Sequence, residues 1–225
     1  MTHSHNDCWR IVPLYEALAA GSVSIEADVW LEDSDLPVGY VKKVLRSTRA
    51  LRTLYIDPFI NILSNRNVSS VFETTEEAGF FETDPNTTII LMLDFETDGH
   101  DLWPVVLSRL EPLCRKSWLT YLNGTDIVPS SVTVAGTGNT PFDFVVADFS
   151  YRYVFFDALL IDVSNSIYTV QNSYYASTAL KSAIGRIWFN KLSGGQINTI
   201  KTQIEEGTGM LQLGPSHLEI ESGIN

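Results

Sequence analysis

The chain reads as an α/β fold built on parallel strands. Three observations predict this. Residues 89–93 are an unbroken apolar run, Ile-Ile-Leu-Met-Leu, as expected of a strand covered on both faces. Strand-like and helix-like segments alternate along the chain rather than segregating. Acidic residues fall where two strands end, Glu26 and Asp28 in the first and Asp94 in the second. In an eight-stranded α/β barrel the chemistry sits at that carboxyl end.

Taken in order, residues 11–20 read as a short helix, with Pro13 suited to its first turn and Gly21 ending it. Residues 23–30 are a strand, and 36–40 a brief extended piece after an acidic loop. Residues 47–62 read as helical with an interruption at Pro58, and 74–81 as a short helix. The strand 89–94 leads through Glu96, Asp98 and Gly99 into an amphipathic helix over 102–114. Residues 118–122, 131–135 and 153–157 are strand candidates. A helix over 196–206 precedes a final short strand at 209–213. About six strands result, fewer than the eight of a closed barrel. No internal repeat, low-complexity tract or interdomain linker is visible, so residues 1–213 are expected to form one domain and 214–225 a tail.

Side chains alternate along a strand, so Ser24, Glu26, Asp28 and Trp30 share one face. Two carboxylates two residues apart repel unless solvated, protonated or bridged by a cation. An antiparallel strand with a wet polar face fits this stretch as well, and Asp94 alone also fits a helix cap or a loop acid. The three acids together, with His3 and His5 upstream, form a set that could hold a divalent cation beside a proton-transfer group.

The 225 residues are 44% hydrophobic and suffice for a real core. The net charge of −12, with no evident basic patch, argues against nucleic acid as a partner. It also hinders an anionic substrate unless a metal or local cations offset it. Cys8 and Cys114 permit at most one disulfide and match no zinc spacing. Cys8 reads as a small buried thiol rather than a nucleophile. No signal peptide and no run long enough to cross a bilayer are expected, and the compartment is left open.

The stretches His3-Ser4-His5-Asn6-Asp7-Cys8-Trp9-Arg10, Glu26-Ala27-Asp28-Val29-Trp30, Leu93-Asp94-Phe95 and Thr97-Asp98-Gly99 resemble the fungal altered inheritance of mitochondria protein 6 family. That family lies within the phospholipase-C-like phosphodiesterase superfamily of TIM-type (β/α) barrels. Softer matches run through 52–58, 121–124, 137–139 and 164–168. The resemblance implies a phosphoric diester hydrolase acting on a glycerophosphodiester or phospholipid-like small molecule. It implies His5 as catalytic acid or base, Glu26, Asp28 and Asp94 as ligands of Mg²⁺ or Ca²⁺, and His3 and Asn6 against the substrate. Hard cations do prefer such oxygen ligands, and histidine titrates near neutrality.

Four departures from the pattern bear on activity. Tyr40 stands where the family carries a second histidine after Val-Gly; tyrosine can donate a proton but is a poor base at neutral pH. Glu96, at a substrate-facing position, stands where the family has lysine, replacing a cation that pairs with phosphate by an anion that repels it. The residues of the first barrel strand are expected to be missing, as is a strand–helix unit before Met210. The barrel is therefore expected to be incomplete, with the Glu26 strand at one edge and His5 weakly held. Two readings besides an active hydrolase follow: an impaired relative that only binds metal or ligand, and a truncated gene product without a function of its own.

Overall fold

The computed structural model describes residues 2–5, 7–66, 79–81, 84–188, 191–211 and 218–221. It divides into two compact units, Met1–Val154 and Phe155–Asn225. The mixed α/β class is as the sequence predicts. Among the described residues the first unit holds four parallel strands and the second three. The expected helix over 74–81 and the candidate residue Asn6 lie outside the described residues, apart from 79–81.

In the first unit, four parallel strands run in the order β1 (Thr2–Ser4), β2 (Ser22–Val29), β3 (Ile89–Phe95), β6 (Val132–Gly138). The first strand is thus not missing but a three-residue stub, pairing His3 with Ser24 and Ser4 with Ile25. The Glu26 strand consequently lies between β1 and β3 rather than at an edge. Almost every residue of β2 is buried, Ser24 and Asp28 as well as Ile25 and Val29. That excludes the wet-faced antiparallel alternative.

Helix α1 (Pro13–Ala19) opens on Pro13 and closes at Gly21, whose φ of +79° suits glycine. The helix expected to break at Pro58 does not break. A π-helical stretch, Arg52–Ile56, runs directly into α2 (Asp57–Arg66). Proline lacks the N–H that an α-turn would need, and the wider turn just before it accommodates the loss. Helix α3 (Gly99–Cys114) is capped by Asp98, whose carboxylate accepts from the His100 and Asp101 backbone N–H groups at 3.0 and 3.2 Å. Its buried stripe of Leu102, Val106, Leu110 and Leu113 joins Ile25, Val29, Leu91 and Leu93 in the core.

Residues 118–122 contribute only β4 (Tyr121–Leu122), paired antiparallel with β5 (Ile127–Val128), and α4 (Phe142–Ala147) follows β6. The second unit has three parallel strands, β7 (Val154–Leu159), β8 (Ser173–Ala179) and β9 (Leu218–Glu221), with α5 (Leu180–Ile184) and α6 (Gly194–Leu211). Residues 209–211, expected to be a strand, are the end of α6 instead. Part of the expected tail forms β9.

Candidate active site

The strand pairing carries the site. Register places Asp28 directly beside Asp94 and Glu26 beside Met92. Glu26 and Asp28 share a face because they are two residues apart, and Asp94 meets them at the end of β3. One carboxylate oxygen from each of the three lies within 4.8 Å of the others. The backbone is shaped around this group. Gly138, at the end of β6, has φ +60°, and a Cβ there would sit 1.9 Å from Asp94 Oδ1. Only glycine gives Asp94 its place.

The histidines approach from β1 and the residue after it. His5 Nδ1 donates to Glu26 Oε2. His3 Nδ1 lies 2.6 Å from Ser24 Oγ, and its Nε2 is 4.0 Å from the same Glu26 oxygen. His5 is also held from its C-terminal side. The turn Asp7–Trp9 is closed by the Arg10 N–H on the Asp7 carbonyl, 2.8 Å, and by Arg10 Nε on Asp7 Oδ1, 3.1 Å. Arg49 Nη2 then donates to the carbonyls of Cys8 (2.7 Å) and Arg10 (2.5 Å). The expected weak hold on His5 is therefore corrected, since β1 pins one side and the Arg49 clamp the other.

Electrostatics differ sharply between the two acids of β2. Burial pushes Glu26 upward, but His3 and His5 outweigh it and draw its carboxyl down to about 2. Asp28 has only the charge of His5 to lower it, and that is the weakest influence. Burial, then the charges of Glu26, Asp94 and Glu96, push it up to about 7. Its Oδ2 is buried without a hydrogen-bond partner. A buried, unpaired carboxylate oxygen beside two further acids fits a hard divalent cation, for which oxygen donors are the natural set.

Glu96 follows β3, with its pKa raised by burial and by Glu26. Its backbone N–H bonds the Val29 carbonyl at 3.0 Å. Tyr40 follows Gly39, whose N–H bonds the Asp28 carbonyl at 3.1 Å. The Tyr40 side chain is half exposed. Trp30 Nε1 donates to the Gly39 carbonyl at 2.7 Å and fixes this loop beside the site. Cys8 is a buried free thiol raised by burial, in keeping with its structural reading, and Cys114 is also free.

Three supporting residues escaped the sequence reading. Tyr55 is fully buried, its hydroxyl 3.5 Å from the Glu26 carbonyl. Asp7 is buried in the turn after His5 with Oδ2 unpartnered. Arg49 is the clamp described above. A tyrosine in an otherwise apolar helix face is the sequence signal for the first; Asp7 lies within the histidine cluster and has no signal of its own.

A family model described as an AIM6-like phosphodiesterase domain matches residues 1–157. The chain is 38% identical over 214 residues to an altered inheritance of mitochondria protein 6 homolog of Arthroderma benhamiae, covering 90% of this chain and 67% of that protein. It is 34% identical over 199 residues to the altered inheritance of mitochondria protein 6 of Lachancea thermotolerans, covering 81% of this chain and 46% of that one. It thus spans about half the length of that second relative. Among solved structures it is similar to a phosphatidylinositol-specific phospholipase C from Listeria monocytogenes, at 14% identity and a TM-score of 0.39, over 93% of this chain and 76% of that one.

Proposed function

The chain belongs to the AIM6-like phosphodiesterase domain family, and from that premise we propose that it is a divalent-cation-dependent phosphoric diester hydrolase acting on a glycerophosphodiester or phospholipid-like substrate. The observation that carries the reading is the meeting of Glu26, Asp28 and Asp94 at two strand ends, with a buried oxygen of Asp28 left unpaired beside the His5–Glu26 pair. These three acids would hold Mg²⁺ or Ca²⁺. The cation, when bound, neutralises phosphate charge and acts as a Lewis acid.

The remaining steps belong to the chain's own side chains. Glu26 orients His5 and stabilises its charged form, so the imidazole can take a proton from an attacking hydroxyl. Tyr40, in the loop after Gly39, would be the residue that protonates the leaving oxygen. His3 and Asn6 are assigned to the substrate, and Glu96 lines the mouth. Glu96 sets the limit on rate, because an acid there opposes an incoming phosphodiester.

That opposition supports a second reading, an impaired relative that binds cation or ligand without turnover. Assaying the purified chain with Mg²⁺ or Ca²⁺ on a phosphodiester panel separates the two. The hydrolase reading expects turnover that chelation and Asp28→Asn each abolish; turnover surviving both overturns it. The impaired reading expects no turnover in the parent and its appearance in Tyr40→His with Glu96→Lys.

A further inference from the structure

An acidic chain of net charge −12 concentrates five of its fifteen Lys and Arg residues, and no acid, in the stretch from Tyr40 to Arg52. In the sequence this run is masked by the overall negative charge. The structure ties this run to the turn after His5. Arg49 bonds the carbonyls of Cys8 and Arg10, and a hydrogen bond from the Tyr40 backbone reaches the Cys8 sulfur. The same turn leaves Trp9 63% and Ile11 85% exposed, with Val12 exposed beside them. Lys42, Lys43 and Arg46 are exposed on the neighbouring run. Of these, Lys42 is paired with Glu32 at 3.7 Å, and Arg46 bonds the carbonyl of Leu45.

We propose that Trp9, Ile11 and Val12, with Lys43 and Arg46, form a docking face for an anionic lipid bilayer. Indole and aliphatic side chains left in water gain by entering the headgroup–acyl boundary. Adjacent cations add attraction to anionic lipid, about fivefold in affinity for each. An acidic polymer would satisfy the cations but leave the apolar residues in water. The acidic excess of the rest of the chain repels an anionic surface, so the field turns this face toward it. Trp9 is four residues after His5, so docking brings the candidate active site to the bilayer; only that consequence rests on the proposed hydrolase function.

The test is co-sedimentation of the full chain with vesicles of phosphatidylcholine alone or with a minority of phosphatidylserine, in chelator, at low and high salt. Salt-sensitive binding to the anionic vesicles is expected, and Asp28→Asn should leave it unchanged. Lys43→Ala with Arg46→Ala should weaken binding about 25-fold. Trp9→Ser with Ile11→Ser should weaken it by more than about tenfold, while Lys201→Ala has no effect. Should the apolar variant melt below the parent, the double cation variant carries the test. Absence of binding to anionic vesicles overturns the proposal, as does binding that neither double variant weakens. Equal affinity for an oligonucleotide, indifferent to Trp9→Ser, also overturns it. Failure of the hydrolase assay alone leaves these readouts untouched.

Discussion

Asp28 shares its strand face with Glu26 and its register with Asp94, and burial with the charges of the neighbouring acids pushes its carboxyl up to about 7. Its folded pKa is raised above the ordinary aspartate value, so the folded state holds a proton that the unfolded chain has released between pH about 4 and 7. Stability from this group is therefore full below about pH 4 and lost as pH rises through about 7, on the order of 4 kcal/mol at most. In chelator, the urea midpoint of the parent should fall between pH 5 and 8 relative to that of Asp28→Asn. Adding Mg²⁺ or Ca²⁺ at pH 8 should restore it in the parent alone, by mass action. A midpoint with the same pH dependence in both proteins would refute the titration, and a cation shift equal in both would refute the metal site.

Two neighbours extend this at the same scale. Gly138→Ala puts a methyl where Asp94 Oδ1 lies, so the carboxylate must move. Cation affinity should drop, on the order of the 10–100-fold seen when a ligand's support is removed. Calorimetric titration reads this directly, and unchanged affinity would mean that Asp94 is not a ligand. His5→Gln should lower turnover by ~10²–10⁴-fold while leaving cation-induced stabilisation in place, if the imidazole moves protons rather than binds metal.

Among the elements, β3 and α3 form the spine of the site. Asp98 caps α3 four residues after Asp94, so the strand's exit is tied to the helix start. Asp98→Ala should cost about 1 kcal/mol, seen as a lowered urea midpoint with an unchanged slope; no change would mean that water replaces the cap. These elements were legible in the sequence for clear reasons. β3 is an uninterrupted aliphatic run, β2 alternates two acids with aliphatic residues, and α3 spaces its apolar stripe at helical period. β8 was not legible, because Ser173–Ala179 contains no Val, Ile or Leu and its small residues give no hydrophobic signal. The end of α6 was misread because Gly207 and Gly209 look like helix breakers. Gly207 instead packs closely on Leu218 and Leu160, where a Cβ would come within 2.9 Å. The candidate acids were visible because strand ends are local; the Arg49 clamp and the Gly138 recess were not, because each joins segments about forty residues apart.

For the molecule as a whole, the two units bury very different cores. The first gathers large side chains from its strands and helices, among them Tyr55, Phe59, Phe95, Ile25, Leu91 and Leu102. Among the described residues the cluster of the second is smaller, Ala158, Leu160, Val163 and Ala176 with Tyr168, Leu218 and Ile220 packed against it, while Phe155 and Tyr175 are buried in that unit outside the cluster. Buried apolar area is the main favourable term in folding, and regions with few such contacts open at lower free energy than the global transition. Amide hydrogen exchange on the intact chain should therefore show β8 and β9 exchanging well before β2 and β3, with β3 among the most protected segments. Cations should slow exchange at β2 and the end of β3 while leaving β8 unaffected, because the candidate ligands Glu26, Asp28 and Asp94 all lie in the first unit. Equal protection across β3 and β8 would mean that the small cluster does not set local stability, and a cation effect confined to β8 would move the metal site out of the first unit.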